Sequence, residues 1–163
     1  MKMKKILFVC LGNICRSPAA EAVMKAKLKK VGKEEAFYVD SAGTYGGHSG
    51  ALPDARMRKH AALRGYQLEH RARHFYASAD FAEFDMIIGM DRQNIADLRR
   101  LSETTEERAK IYAMVDFCRT NTVYREVPDP YYEGPDGFEL VLDLLEDAIA
   151  VSYTHLRAHE TLR

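Results

Sequence analysis

The sequence has few of the features that mark a secreted or membrane-bound protein. It contains only three cysteines, two of which, Cys10 and Cys15, lie close together near the N-terminus. Three cysteines are too few for the disulfide framework of a small secreted domain. The apolar run Ile6–Val9 is too short for a signal peptide, and no run approaches the length of a membrane span. We therefore expect a protein of the reducing cytoplasm.

The sequence also lacks a net charge, since its 24 acidic residues balance its 24 basic residues. Without an overall field of one sign, we expect neither a nucleic acid nor a membrane surface as a partner. The histidines and cysteines lack the spacing of metal ligands, so we expect no metal and no cofactor. The length of 163 residues suits one domain with a sizeable core. Any attraction for an anion must come from local charge.

What the sequence does contain is a short stretch, Val9–Pro18, with the composition of an anion-binding loop. An apolar run precedes this stretch and a helical pattern follows it, so the order is strand, loop and helix. The backbone N–H groups of such a loop point into a concavity and bind anions. Cys10 opens the loop and Arg16 closes it. A thiol and a guanidinium on one anion-binding loop indicate chemistry on a phosphate.

Each residue type in the loop has a physical reason to be there. Cys10 supplies a thiolate, which N–H donors and a helix N-terminus favour over the thiol. Arg16 offers a planar fork that matches two phosphoryl oxygens. Gly12 and Asn13 tolerate the left-handed backbone of a tight turn, and Ser17 can hydrogen-bond the sulfur or cap the helix. The alternative interpretation is a buried cysteine at the end of a core strand.

Apolar runs alternate with helical patterns along most of the chain, which predicts an α/β fold. Such alternation favours a parallel sheet with helices on both faces, a three-layer sandwich. Asp54 and Asp91 are expected to cap their helices, and Ser78 or Asp80 to cap the shortest one. Strands are expected at 4–10, 36–41, 84–90 and 109–115, and helices at 18–30, 54–65, 78–84, 91–100 and 138–150.

Beyond these patterns, the stretch Val9–Pro18 resembles the signature loop of the low-molecular-weight protein tyrosine phosphatases, in their bacterial form. The resemblance covers residues from about 4 to about 150 and implies a four-stranded sheet in the order 2-1-3-4. It also implies hydrolysis of phosphotyrosine in a protein, or of a small aryl phosphate, through a phosphocysteine on Cys10. Further motifs that resemble the family are Asp40–Thr44, Pro53–Arg56, His70–Arg73, Met90–Asp91 and Asp129–Tyr132.

The resemblance assigns roles to residues outside the loop. It implies that Asp129, between two prolines, is the general acid that protonates the leaving oxygen and later activates water. Taken alone, the local sequence favours a turn aspartate at this position, and the match to the family motif reverses that interpretation. Around the pocket the resemblance places tyrosines, which would stack on an aromatic leaving group: Tyr45, Tyr131 and Tyr132. Tyr131 and Tyr132 follow Asp129, and the alternative is that they are packing or turn residues. The residues expected to bind phosphate or substrate from the loop are Leu11, Gly12, Asn13, Ile14, Cys15 and Ser17.

The resemblance also implies residues that support the loop. His70 would hydrogen-bond Asn13 and hold its strained conformation, with Ser41 nearby. Asp91 is expected to cap a helix close to the loop. Cys15 would form a reversible disulfide with Cys10 under oxidants, which protects the nucleophile; otherwise Cys15 is a small apolar filler.

Three other functions remain open. An arsenate reductase of this fold needs resolving cysteines after the third strand, and residues 75–100 contain none. A protein arginine phosphatase resembles the chain but carries threonine where this one has Ile14, and an apolar side chain suits an aromatic ring better. A non-catalytic phosphotyrosine-binding or redox-sensing module would not need Cys10, Arg16 and Asp129 together.

The last thirteen residues read differently from the rest. The leucine stripe of the final helix stops near residue 150, and 151–163 is polar. We predict a phosphatase domain over 1–150 followed by a non-native tail over 151–163; the alternative is a natural polar helix end. The protein is expected to be a monomer or a weak dimer.

Overall fold

Four parallel strands form one sheet at the centre of the protein. The computed structural model describes residues 2–130 and 134–150. The strands lie in the order β2-β1-β3-β4 and every pair is parallel, so the predicted order is confirmed. In chain order the elements are β1 (Lys4–Cys10), α1 (Arg16–Lys30), β2 (Phe37–Gly43), α2 (Ala55–Leu63), α3 (Ala77–Glu83), β3 (Met86–Gly89), α4 (Arg92–Leu101), α5 (Thr105–Ala109), β4 (Ile111–Ala113), a 3₁₀ helix (Met114–Phe117) and α6 (Gly134–Ile149).

The central strand β1 is buried on both faces, which explains its unbroken apolar sequence. Ile6 and Phe8 belong to the larger core cluster, together with residues of α1 and α6. Leu7 and Val9 belong to a second cluster on the opposite face, with residues of α3 and α4. Helices therefore cover both faces of the sheet, and the predicted three-layer sandwich is confirmed.

One arginine joins helices α2 and α6. Arg64 follows the last residue of α2 and lies 2.7 Å from Glu139, 2.9 Å from Asp143 and 2.5 Å from Glu146, which share one face of α6. Partial burial lowers the pKa of the Arg64 guanidinium, but the hydrogen bonds to the three carboxylates outweigh it, so the pKa is raised. The cluster holds α6 against α2, and both helices begin beside the site described below.

Side-chain caps confirm two of the predicted helix starts. Asp54 accepts the backbone N–H groups of Arg56 and Met57 at the start of α2. Asp91 and Asn94 form a capping box at the start of α4, where each side chain accepts a backbone N–H of the other residue. Because α4 starts directly after β3, its cap orients the Asp91 carboxylate at the carboxyl edge of the sheet.

The predicted cap of the short helix α3 is wrong. Tyr76 occupies the N-cap position, and neither Ser78 nor Asp80 caps the helix. Asp80 lies inside the helix, accepts the N–H of Tyr76 at 2.8 Å and pairs with Arg73 at 3.0 Å. The local sequence favours Ser78 or Asp80 as a cap, but the arginine that engages Asp80 comes from the preceding connection, which a local pattern does not reveal.

Several boundaries also differ from the prediction. Helix α1 starts at Arg16 rather than Pro18, and α6 starts at Gly134 rather than Phe138. The predicted fourth strand is reduced to three residues, followed by the 3₁₀ helix. Helix α5 was not predicted because it buries no residue and so has no apolar periodicity. Among residues 2–130 and 134–150, no helix is long and apolar enough to cross a membrane. The tail predicted at 151–163 lies outside the described residues.

Candidate active site

The loop between β1 and α1 lies at the carboxyl edge of the sheet. The chain runs from β1 to β2 on one side and places β3 on the other, so the loop lies where the strand order reverses. Backbone hydrogen bonds from the segment after β2 hold the loop: Thr44 N–H donates to the Cys10 carbonyl at 3.0 Å, and Tyr45 N–H to the Leu11 carbonyl at 2.8 Å. A side chain at Gly43 would not fit, since a Cβ there would lie 2.6 Å from the Leu11 oxygen.

The backbone of this loop is arranged to bind an anion. Within the part of the chain that the structure describes, no backbone N–H from Gly12 to Ser17 donates to a protein acceptor. Asn13 has a φ of 57°, in the left-handed region, as predicted from its residue type. A turn of this kind directs successive N–H groups toward one point and forms a concave anion site.

The Asn13 side chain holds the loop in this conformation from behind. It is fully buried, and its amide nitrogen donates to Ser17 Oγ at 2.8 Å and to Ser41 Oγ at 3.0 Å. Its amide oxygen accepts from the backbone N–H of Arg73 at 2.9 Å and from His70 Nε2 at 3.0 Å. Because the Arg73 N–H can only donate, the orientation of the amide is determined. Asn13 and Ser17 can therefore reach a bound phosphate only through their backbone N–H groups.

His70 is oriented by two carboxylates. Its Nδ1 lies 3.3 Å from Glu21 and 3.4 Å from Asp40, while its Nε2 faces the Asn13 oxygen. Both ring nitrogens face oxygen atoms, and these contacts fix the orientation of the imidazole. Glu21 and Asp40 were not found by sequence reasoning, because residues 21, 40 and 70 have no characteristic spacing.

The same three side chains bring one ligand atom each to within 4.8 Å of one another, which is a spacing that metal ions accept. Both carboxylates already have cationic partners: Lys25 lies 2.6 Å from Glu21, and Arg73 lies 3.2 Å from Asp40. These partners offset the charge that would attract a metal, so we interpret the cluster as a support for His70.

The thiol of Cys10 lies at the inner end of the loop and is almost fully buried. Its sulfur is 3.0 Å from Ser17 Oγ. Asn13 donates to the same hydroxyl oxygen, so the Ser17 hydroxyl proton can point to the sulfur or to the Ala42 carbonyl, which is 3.4 Å away; the shorter contact favours the sulfur. A hydroxyl donor and the surrounding N–H groups stabilise negative charge on the sulfur, which is the form that attacks phosphorus.

Arg16 is fixed along one edge of its guanidinium. Nη1 donates to Asp91 at 2.7 Å and to the Val127 carbonyl at 2.9 Å, while Nη2 lies 3.9 Å from Asp129. Burial lowers the pKa of the Arg16 guanidinium, but the negative charges of Cys10 and Asp91 outweigh burial, and the pKa is raised. Arg16 therefore remains a cation although only 3% of its side chain is exposed.

The loop forms the floor of a pocket of about 330 Å³. Asp129 lies at its rim with half of its side chain exposed, and Leu11 and Tyr45 are exposed at the mouth. Tyr131 and Tyr132, which were expected at the same mouth, lie outside the described residues. The pocket is lined by Cys10, Leu11, Gly12, Ile14, Cys15, Arg16, Tyr45, His48, Asp54, Arg56, Asp129 and Phe138.

Four of these lining residues were missed by sequence reasoning. His48 stands edge-on to Tyr45, with 5.9 Å between ring centroids, and lies so close to Gly12 that a Cβ at Gly12 would be 2.9 Å from it. The glycine-rich loop around His48 has no periodicity that would identify it. A side chain at position 12 would therefore displace the exposed His48 ring.

Asp54, Arg56 and Phe138 make up the remaining unpredicted wall. Arg56 pairs with Asp54 at 3.1 Å, and its guanidinium lies over the Phe138 ring, 4.9 Å from the centroid. Arg73, the basic residue that ends another of the family-like motifs, pairs with Asp40 and Asp80.

The second cysteine of the loop also lines the pocket. All three cysteines are free in the structure, so a disulfide between Cys10 and Cys15 stays a prediction. Burial raises the pKa of the Cys15 thiol well above its ordinary value, and the negative charge of Cys10 raises it further. Burial and Asp147 raise the pKa of Cys118 to about 12. Neither of these thiols is suited to be a nucleophile at neutral pH.

A thiol, a buried arginine and open N–H groups on the first loop of a parallel α/β sandwich define a phosphate-monoester hydrolase. The family model of the low molecular weight phosphotyrosine protein phosphatase matches residues 5–161. The chain therefore belongs to this family of protein-tyrosine-phosphatases, as its motifs predicted.

Individual relatives agree with this assignment. The chain is 41% identical over 145 residues to a low molecular weight protein-tyrosine-phosphatase of Streptomyces coelicolor, covering 88% of each chain. A crystal structure of a protein tyrosine phosphatase from Entamoeba histolytica matches with a TM-score of 0.90 and 47% identity, covering 95% of this chain and 97% of that one. A crystal structure of a Drosophila arginine phosphatase matches with a TM-score of 0.84 and 32% identity, covering 93% and 97%.

Proposed function

We propose that Cys10 removes the phosphoryl group from protein phosphotyrosine and carries it as a phosphocysteine. The observation that supports this most directly is the common pocket. The Cys10 sulfur, the Arg16 guanidinium and the loop N–H groups all face it, and Asp129 stands at its rim. A phosphate in the pocket would accept hydrogen bonds from Nη2 of Arg16 and from the loop, leaving its phosphorus exposed to the sulfur.

In the first step the Cys10 thiolate attacks phosphorus, and the bond between phosphorus and the tyrosine oxygen breaks. Asp129, as a carboxylic acid, gives its proton to the departing oxygen, so that tyrosine leaves as a neutral phenol. Arg16 and the loop N–H groups stabilise the charge that spreads over the equatorial oxygens in the transition state.

In the second step water replaces the thiolate. Asp129, now a carboxylate, takes a proton from the water as its oxygen attacks phosphorus. The phosphorus–sulfur bond breaks, inorganic phosphate is released, and the Cys10 thiolate is restored with the Ser17 hydroxyl 3.0 Å away to stabilise it. The cycle balances without a metal, a cofactor or a redox partner.

The walls of the pocket favour an aromatic leaving group. Leu11 and Tyr45 are exposed at the mouth, and Ile14 contributes an apolar side chain to the lining. These side chains can pack on both faces of a phenyl ring. Two carboxylates also line the pocket, but Asp54 is already paired with Arg56, and Asp129 has the role of proton donor to the leaving oxygen. We therefore favour phosphotyrosine over phosphoarginine as the substrate.

Hydrolysis of a phosphotyrosine peptide, with and without Cys10, tests the proposal. The Cys10→Ser variant should lose turnover yet still bind phosphate, because Arg16 and the loop N–H groups remain. Cys118→Ser is the matched control, since it removes a thiol that faces the Leu144 carbonyl rather than the pocket, and it should keep its activity. Trapping with radiolabelled substrate should label wild type and Cys118→Ser but not Cys10→Ser. Activity retained in Cys10→Ser would exclude Cys10 as the nucleophile.

A further inference from the structure

A second concave site lies beside the phosphate pocket, between helix α4 and the segment that leads to Asp129. We refer to it as the basic groove; it has a volume of about 270 Å³. Three arginines line it: Arg92 and Arg99 from α4, and Arg125 from the opposite segment. Positions 92, 95, 96 and 99 share one face of α4, so Ile95 and Ala96 place apolar surface between the two helical arginines.

The guanidinium groups of the three arginines in the basic groove have no protein partner within residues 2–130 and 134–150. None of their guanidinium groups takes part in a hydrogen bond, an ion pair or a stacking contact there, and all three residues are exposed. By contrast, Arg16, Arg64 and Arg73 are engaged by carboxylates. Unpaired guanidinium groups that converge on one groove form a site for carboxylates or phosphates, with which arginine makes two parallel hydrogen bonds.

The acidic residues of the groove do not neutralise it. Asp91 lines the groove, but its charge is taken up by Arg16 at 2.7 Å. Glu126 accepts the backbone N–H of Arg92 at 2.9 Å, and this contact leaves the Arg92 guanidinium uncompensated. The groove thus carries a local excess of positive charge in a chain whose net charge is zero.

The basic groove and the phosphate pocket lie on two sides of one short segment. Arg125 and Glu126 line the groove, the Val127 carbonyl accepts from Arg16, and Asp129 lines the pocket. An extended peptide advances about 3.3 Å per residue. A substrate peptide whose phosphotyrosine lies in the pocket therefore needs only a few more residues to cross this segment and reach the groove.

We propose that the basic groove binds acidic residues that flank the phosphotyrosine of the protein substrate. The inference rests on the proposed function, since it names the surroundings of the phosphotyrosine that the same pocket hydrolyses. Carboxylates would pair with the three arginines, and the apolar surface of α4 would accept the stems of glutamate side chains. The groove therefore selects substrates by sequence, whereas the pocket selects them by phosphate and ring.

Matched peptides and matched variants test the inference. One phosphotyrosine peptide carries glutamates on both sides, and its partner carries glutamines at the same positions. The enzymes are wild type, the triple variant Arg92→Gln/Arg99→Gln/Arg125→Gln, and a control triple variant, Lys33→Gln/Arg108→Gln/Arg119→Gln. The control removes the same charge from residues outside the groove and the pocket. kcat/KM is measured for both peptides and for p-nitrophenyl phosphate, at ~0.1 M and ~1 M salt.

At the lower salt concentration, the kcat/KM of the wild type should be about fivefold higher for the glutamate peptide than for the glutamine peptide. A factor of this size is expected from the summed free energies of a few exposed ion pairs. The groove variant should lose this preference, the control variant should keep it, and high salt should abolish it in both wild type and control. All three enzymes should hydrolyse p-nitrophenyl phosphate alike, because it is too small to reach the groove.

Two outcomes among the variants would overturn the inference. One is a preference for the glutamate peptide that survives in the groove variant. The other is a preference that falls as much in the control variant as in the groove variant, because the overall electrostatic field of the protein would then explain it. Failure of the proposed function has a different signature, since the wild type would then hydrolyse neither the glutamine peptide nor p-nitrophenyl phosphate. An unchanged preference with sulfate added at constant ionic strength would also contradict the inference, because sulfate should compete for a carboxylate site.

Discussion

Arg16 and Asp91 are joined by a hydrogen bond of 2.7 Å, and this contact ties the phosphate loop to the neighbouring strand and helix. Asp91 lies between β3 and α4, and its second oxygen accepts the N–H of Asn94 as the helix cap. The Val127 carbonyl accepts from the same nitrogen of Arg16 at 2.9 Å. The guanidinium is thus positioned by two separate elements before any substrate binds, and Nη2 is left facing Asp129.

The Asp91→Asn variant tests this positioning. Asparagine is as good a helix cap as aspartate, so the melting temperature should change little. The variant loses the charged hydrogen bond to Arg16, which is worth about 1.5–3 kcal/mol. We therefore expect kcat/KM for an aryl phosphate to fall roughly 10- to 100-fold, since each 1.36 kcal/mol is a factor of ten.

Asp97→Asn is the control for this prediction, because Asp97 belongs to the same helix but pairs with Arg100 on its exposed side. It should behave like the wild type. Full activity in Asp91→Asn would mean that the Val127 carbonyl alone is enough to position Arg16.

Two substitutions of Asn13 separate its backbone role from its side-chain role. Glycine adopts a φ of 57° freely but removes all four hydrogen bonds of the amide. Alanine removes the same bonds and adds the strain of a left-handed residue, about 1–2 kcal/mol. In urea unfolding, Asn13→Ala should therefore be less stable than Asn13→Gly by about that amount. Equal stabilities would show that the loop relaxes to another backbone conformation when the amide is removed.

The raised pKa of Cys15 predicts slow alkylation. Its ordinary pKa is 9.0, and burial together with the charge of Cys10 raises it well above that value. A thiol with a raised pKa stays protonated at neutral pH and becomes reactive only as the pH rises above the ordinary value. In the Cys10→Ser variant the charge of Cys10 is removed, but burial, which is the largest cause of the raised pKa, remains. We expect iodoacetamide to label Cys15 of that variant slowly at neutral pH and faster in alkali, as followed by mass spectrometry.

Cys118 is the internal reference for this measurement, with a pKa raised to about 12. The rapidly labelled cysteine of the wild type should be Cys10. Rapid labelling of Cys15 at neutral pH in Cys10→Ser would contradict the effect of burial.

The sequence predicted those parts of the site that lie close together along the chain. Cys10 and Arg16 share one loop, so strand, turn and helix patterns were enough to find them. Asp129 is far away in sequence and was identified only through the resemblance to a family; the structure places it 3.9 Å from Arg16. The order of the strands likewise came from the resemblance, because alternation alone does not determine on which side of β1 each strand lies.

Contacts between distant segments could not be predicted. Glu21, Asp40 and His70 lie on α1, β2 and a connection, and they meet only because β1 and β2 pair in one register. His48 lies in a glycine-rich loop far from Gly12 in sequence, and only the fold brings its ring beside Gly12. A local pattern carries no information on either contact.

Deletion of residues 151–163 tests the predicted domain boundary. All lining residues of the pocket in the described structure precede residue 139, and α6 ends at Ile149. The family model matches residues up to 161, so the boundary at 150 needs a direct measurement. We expect the shortened protein to keep its kcat/KM and melting temperature. A deletion from residue 144 is the contrasting variant, because it also removes the buried Leu144 and Leu145 and should unfold the protein. A large loss of activity in folded 1–150 would place part of the enzyme in the tail.

The most informative variant is Asp129→Asn, because it separates acid catalysis from the shape of the pocket. Asparagine has nearly the same size but cannot give up a proton to a leaving group. A general acid contributes on the order of 10²–10⁴ in rate when the leaving group needs a proton. Phenolate from tyrosine needs it, whereas p-nitrophenolate is a weak base and leaves with little protonation.

We therefore expect kcat of Asp129→Asn to fall far more for phosphotyrosine than for p-nitrophenyl phosphate, whereas Cys10→Ser loses both activities alike. In a series of aryl phosphates, the fall in kcat of Asp129→Asn should become larger as the leaving group becomes more basic. If the loss were instead the same for every leaving group, Asp129 would act by shaping the loop between Pro128 and Pro130, and the proton would have to come from another group or from water.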